Sequence, residues 1–273
     1  MIRTPRHLKD MVRKMSGSDS AKAQIIIRNY IMERFLERLS LSKYRNHLIL
    51  KGGILVSAIV GLDNRSTMDV DTTFKNYPLS LETATETIKE IIAISVDDGV
   101  SFQIKSVDNI LDESEYGGIR AILEATLETM RTPLKLDITT GDVITPHEIS
   151  YDFKLMFEER TISILAYNLE TVLAEKLETI ISRQIANTRM RDFYDLYILQ
   201  NYQSHNINMR LLSEALKNTT YKRKSAIAMQ NASVILDDIQ KSSDMKKLWD
   251  NYYMAAPQQQ RQPVAQSKIV KRA

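Results

Sequence analysis

Two aspartates flank a single apolar residue in Asp69-Val70-Asp71, sixteen residues after a Gly52-Gly53 pair. On a β-strand this alternation puts both carboxylates on one face, with Cα atoms roughly 7 Å apart. Carboxylates that close repel one another unless a proton or a cation neutralises them. Hard divalent ions take oxygen ligands, and magnesium commonly combines one or two carboxylates with substrate phosphates. A Gly-Gly turn opening a helix lets backbone N–H groups approach such phosphates closely. The chemistry implied is a metal-dependent site that handles a nucleotide.

The elements that must position these residues can be read from periodicity. Residues 20–40 carry Ile25, Ile26, Tyr30, Ile31, Phe35 and Leu39 at helical spacing, with Ser18 and Asp19 ahead as caps. The apolar run 47–51 ends at Gly52-Gly53, a helix follows over Ile54 to Val60, and Gly61 stops it. Met68 to Phe74 is the strand carrying the aspartates. A helix is expected over 81–98, then strands over Val100 to Val107, Ile119 to Thr129 and Leu134 to Thr139, with a hairpin-type break at Tyr116-Gly117-Gly118. The last of these strands places Asp137 between Leu136 and Ile138, and a lone carboxylate among apolar neighbours needs a partner. From Asn168 onward helical spacing dominates to about Tyr253.

Composition narrows the class. The chain has 273 residues, 43% of them hydrophobic, with no apolar run long enough to span a membrane and no apolar segment behind the basic N-terminus. It has no cysteine, which excludes disulfides and thiolate metal sites and fits a cytoplasmic location. Its four histidines lack ligand-like spacing, which argues against a zinc site. Net charge is +3, with basic residues gathered in Arg3 to Lys14, in Lys222-Arg223-Lys224, and after Pro257 (Arg261, Lys268, Lys271 and Arg272). Solvated segments and contact with a phosphate backbone both remain open for these clusters.

Four stretches, taken in order, resemble the AbiEii/AbiGii toxin family, nucleotidyltransferase-like toxins of type IV toxin–antitoxin and abortive-infection systems within the DNA polymerase beta-type nucleotidyltransferase superfamily. They are Lys51-Gly52-Gly53; Arg65-Ser66-Thr67-Met68-Asp69-Val70-Asp71; Leu134-Lys135-Leu136-Asp137-Ile138; and Glu175-Lys176-Leu177 with Arg183 and Arg191-Asp192-Phe193-Tyr194-Asp195-Leu196. Ile54 departs from the pattern where the family often has a hydroxyl residue, and Arg191 where many relatives have lysine.

The resemblance implies an α+β fold, a polymerase beta-type core of mixed sheet and flanking helices followed by an α-helical C-terminal half. The expected division is a core over 1–150, a helical domain over 151–256 contributing to the cleft, and a disordered basic tail over 257–273. It implies transfer of a nucleoside monophosphate from a nucleoside triphosphate to an RNA acceptor, a tRNA 3′ end, with release of pyrophosphate. Magnesium or manganese would sit on Asp69, Asp71 and Asp137, with Lys176 and Asp192 completing the catalytic set. Lys51, Gly52, Gly53, Arg65, Thr67 and Arg183 would bind nucleotide, Arg65 and Thr67 also ordering the loop before the aspartates, while Asp195 would be more structural. A cognate antitoxin is the expected partner. The alternatives are nucleotidylation of a protein or small-molecule hydroxyl, and a GTP-binding module without turnover.

Overall fold

The N-terminal helix begins where Thr4 accepts a hydrogen bond from His7 N–H and Pro5 occupies the first helical turn, a position that needs no amide donor. In the computed structural model, which describes residues 2–110 and 117–255, this helix, α1 (Pro5–Ser16), precedes α2 (Ser20–Leu41). Asp19 caps α2 through Lys22 N–H, as its place in the sequence suggests. There follow β1 (Leu48–Lys51), α3 (Gly52–Val60), β2 (Asp69–Phe74), α4 (Leu81–Ile92), β3 (Val100–Ile110), β4 (Gly118–Leu127), β5 (Met130–Thr140), β6 (Ile149–Lys154) and β7 (Thr161–Ala166). Helices α5 (Leu169–Arg183), α6 (Met190–Gln203), α7 (Met209–Lys222), α8 (Ala226–Gln230), α9 (Ala232–Lys241) and α10 (Ser243–Ala255) complete the described chain. The start of the break expected at Tyr116 and the tail expected over 257–273 lie outside the described residues.

The chain divides into two compact units. The first comprises Met1–Ala58, Ser66–Asp142 and Glu148–Ala166. It holds a seven-stranded sheet in the order β3-β4-β5-β2-β1-β7-β6. β2 runs parallel to β5 and β1 parallel to β7, and the remaining pairs are antiparallel. One face of its central strands is apolar and buried: Val70, Ala121, Leu123, Leu134, Leu136 and Ile138. The opposite face of the same strands carries Asp69, Asp71, Arg120, Lys135 and Asp137, each partly accessible. A period-2 pattern in register across neighbouring strands thus sorts core from chemistry.

Helix α2 departs from a simple amphipathic pattern. From Asn29 to Leu39 every residue is buried, charged ones included. Its polar side is held by ion pairs within the unit. Arg38 forms a two-pronged bond to Asp98 (2.7 and 2.9 Å), and Arg34 meets Glu37 and Glu158 at 2.9 and 3.3 Å. Glu33 accepts from Met156 N–H, yet burial pushes its carboxyl up to about 8.

The second unit comprises Ile59–Arg65, Val143–His147 and Tyr167–Ala273 and is helical in its described part. The division differs from a single boundary near residue 150. β6 and β7 follow that point yet pair with each other and, through β7, with β1 in the first unit. Phe153 faces Ile162 across this hairpin, and Ile164 and Ala166 alternate inward, which is strand periodicity hidden in a segment short of classical turn residues. Likewise the helix expected over 81–98 stops at Ile92, where Ala93 ends its hydrogen-bonding, and Asp98 is claimed by Arg38.

Candidate active site

In the first unit the strands bring four charged residues into one row. Lys51 on β1 is registered with Asp71 on β2, Asp71 with Asp137 on β5, and Asp137 with Arg120 on β4. Asp69 and Lys135 form the next rung on the same face. Neighbouring strands lie about 4.8 Å apart, so Asp71 and Asp137 are forced together by the sheet itself.

Each carboxylate is held in its own way. Arg120 donates both prongs of its guanidinium to Asp137, Nε to Oδ1 and Nη2 to Oδ2, each at 2.8 Å. Lys135 Nζ lies 2.8 Å from Asp69 Oδ2 and 3.7 Å from Asp137 Oδ2. Lys51 meets Asp142 at 2.6 Å. Burial alone would raise the Asp142 carboxyl, but Lys51 and the hydroxyls of Thr139 and Thr73 bring it down to about 2. Asp71 goes the other way. Desolvation raises its pKa, and nearby Asp137 and Asp69 raise it further, outweighing Lys51 and a hydrogen bond donated by Gly53 N–H at 3.2 Å.

The glycines serve this carboxylate directly. Gly52 adopts φ +64°, and a Cβ built there would stand 2.2 Å from Asp71 Oδ2 and 2.7 Å from Asp71 Cβ. Only a residue without a side chain lets α3 start against β2 this way. Thr67, also in this unit and buried, donates its hydroxyl to Asp69 O at 3.4 Å, which ties the approach to the strand.

The donor set is three carboxylates on one face of two adjacent strands, Asp71 and Asp137 at the same level and Asp69 one rung away, all oxygen ligands, with Asp71 short of compensating positive charge. That suits a hard divalent cation. As the side chains stand, no three acidic or imidazole groups among the described residues converge on one point, because Arg120 and Lys135 take up oxygens of Asp137 and Asp69.

The second unit holds a separate ionic cluster. Arg65 donates Nε to Asp195 Oδ1 at 2.6 Å and Nη2 to Oδ2 at 3.2 Å. Lys176 Nζ lies 2.6 Å from Asp195 and 3.0 Å from Asp192. The Arg65 and Asp195 side chains are 2% and 0% exposed. Desolvation pushes the Asp195 carboxyl up, but Arg65 and Lys176 overcome it and hold the group at about 2. Burial would lower the Lys176 pKa, and Asp195 and Asp192 raise it above its ordinary value. The helical seven-residue spacing from Lys176 to Arg183 exists on α5, but Arg183 is exposed in its last turn. Glu175 and Glu178 pair with Arg223.

The structure therefore groups Asp69, Asp71, Asp137, Lys51, Gly52, Gly53 and Thr67 in one unit, and Arg65, Lys176 and Asp192 in the other. Arg65, expected at the nucleotide, has its guanidinium buried on Asp195. Sequence reasoning missed Arg120 and Asp142, and quoted Lys135 without assigning it a role. Arg120 carries a local signal, a cation alternating with Ile119 and Ala121 on a strand, but its partner depends on register.

The sequence profile described as "Nucleotidyl transferase AbiEii toxin, Type IV TA system" matches residues 34–267. The chain belongs to the AbiEii nucleotidyltransferase toxin family. It is accordingly a nucleotidyltransferase, and the family implies a nucleoside triphosphate substrate and an antitoxin partner. Among solved structures it is similar to MenT4, a nucleotidyltransferase toxin from Mycobacterium tuberculosis H37Rv. That match has TM-score 0.56 and 15% identity, covering 97% of this chain and 86% of that one. It is also similar to JHP933 from Helicobacter pylori, with TM-score 0.52 and 15% identity, covering 91% and 88%. At that identity both matches speak to fold. A comparison with curated proteins finds no significant match. No helix among the described residues is long and apolar enough to cross a membrane.

Proposed function

We propose that this AbiEii-family chain transfers a nucleoside monophosphate from a nucleoside triphosphate to a hydroxyl of RNA, at a tRNA 3′ end, in the cytoplasm. The observation that carries the reading is the registered row Lys51–Asp71–Asp137 with Gly52 pressed against Asp71. In the reaction the acceptor oxygen attacks the α-phosphorus, the bond from that phosphorus to the bridging oxygen breaks, and pyrophosphate leaves. Asp69, Asp71 and Asp137 would hold magnesium or manganese, which when bound polarises phosphoryl oxygens and neutralises developing charge. Asp137 accepts the proton of the acceptor hydroxyl. Gly52 keeps Asp71 seated and Gly53 presents its N–H at the same end of the strands. Lys51, fixed by Asp142, supplies positive charge there. Lys176 and Asp192 carry family-motif roles in the transfer, and Arg183 and the basic run Lys222-Arg223-Lys224 act electrostatically toward phosphates. A cognate antitoxin silences the activity.

The test is incubation of the purified protein with each α-labelled nucleoside triphosphate, magnesium and total RNA. Label should enter RNA with the wild type and not with Asp71→Asn. Equal labelling by both proteins would sink the carboxylate reading, and label on protein instead of RNA would replace the acceptor.

A further inference from the structure

The two cations bonded to the carboxylate face are themselves partly exposed, so they can leave. The Arg120 side chain is 42% exposed while its partner Asp137 is 14% exposed. Lys135 is 29% exposed. Nothing of the kind holds for Arg65, whose guanidinium is enclosed. Charge makes the same point. Asp69, Asp71 and Asp137 carry three negative charges, and Lys51 is matched by Asp142. Arg120 and Lys135 therefore supply two positive charges to the carboxylates, the charge one divalent cation would bring. They also occupy the oxygens that such a cation needs: both of Asp137 and one of Asp69.

We propose that Arg120 is the resident counter-ion of the carboxylate centre, assisted by Lys135, and that binding of a divalent cation is an exchange in which Arg120 releases Asp137. This rests on the carboxylate reading above. The incoming cation replaces the positive charge that Arg120 withdraws, so Asp137 is never left partly buried and unpaired, a state that would be costly. It also sets the metal concentration at which the centre assembles, because the cation must displace a bidentate ion pair rather than enter an open site. Once released, the Arg120 guanidinium remains at the rim of the same row. Its planar fork suits a phosphate of the incoming triphosphate, so cation and nucleotide would favour each other's binding. Arg120 is thus a positioning residue, acting on the reaction through Asp137.

The experiment is titration of the full chain with Mn2+ alone, followed by electron paramagnetic resonance, in the wild type, Arg120→Gln and Asp137→Asn. A partly exposed ion pair is worth up to about 1 kcal/mol, so Arg120→Gln should bind Mn2+ about fivefold more tightly than the wild type. Asp137→Asn should lose most of the binding. A merely structural arginine would lower melting temperature and leave Mn2+ affinity unchanged or weaker, and that result would overturn the proposal while leaving the carboxylate reading intact. Wild-type binding that is absent, or that survives Asp137→Asn, would overturn both. Should Arg120→Gln not fold, Arg120→Lys serves in its place. It keeps the charge and loses the fork, so tighter Mn2+ binding supports the exchange and unchanged binding refutes it.

Discussion

Two clusters of aspartate and basic side chains, one in each unit, show opposite electrostatics from the same ingredients. Asp195 sits fully enclosed between Arg65 and Lys176, and its carboxyl is held at about 2. Asp71 sits beside Asp137 and Asp69, half-buried, and its carboxyl is raised. Burial acts in the same direction on both. What differs is the sign of the neighbours. Two cations around one carboxylate make a closed structural knot. Three carboxylates on one face of neighbouring strands, with borrowed cations, make a centre that still has room for an ion.

The contrast can be broken most severely at Asp195. Asp195→Ala leaves Arg65 and Lys176 buried without their anion, and should cost about 3–5 kcal/mol in urea denaturation. The pH dependence has a definite sign. The folded pKa of Asp195 lies below its unfolded value, so its contribution is complete above about pH 4 and is lost as pH falls toward 2. Acid melting curves of the wild type should show this loss, and those of Asp195→Ala should lack it.

Gly52→Ala sharpens the other side. The new Cβ meets Asp71 at 2.2 Å on a backbone with φ +64°, so strain and displacement together should cost about 1–3 kcal/mol. Nucleotide transfer should fall further than stability does, because Asp71 itself must move. A folded Gly52→Ala with wild-type transfer would show that the close approach is incidental.

The smallest expected effect is on stability in Asp71→Asn. The folded pKa of Asp71 lies above its unfolded value, so its ionisation opposes folding as pH rises through that raised value. Asp71→Asn should therefore melt slightly higher than the wild type at neutral pH and no higher at pH 3. A lower melting temperature at pH 7 would mean that Asp71 is compensated and the contrast with Asp195 is wrong.

Local pattern carried much of the fold. Asp69-Val70-Asp71 reads as a strand face from period alone, and Gly61 ends α3 where a helix stop was expected. Long-range pairing was not legible. Arg65 and Asp195 are 130 residues apart, and nothing local to either says that one neutralises the other. Arg120 lies only 17 residues from Asp137, yet their bond depends on the register of β4 against β5, which is set by the whole alternating run Ile119 to Leu127. The β6–β7 hairpin escaped because six residues of ambiguous composition, 155–160, stand where a Gly or Asn turn would have announced it.

The route of the chain has a consequence for heredity. It passes from one unit to the other after Ala58, Arg65, Asp142, His147 and Ala166, so neither unit is a contiguous stretch of gene. A fragment ending at Ala166 would keep the three carboxylates and the whole sheet but strip Arg65 of Asp195. A fragment starting at Tyr167 would keep Asp195 and lose Arg65. Recombination cannot move either half between proteins as one contiguous module.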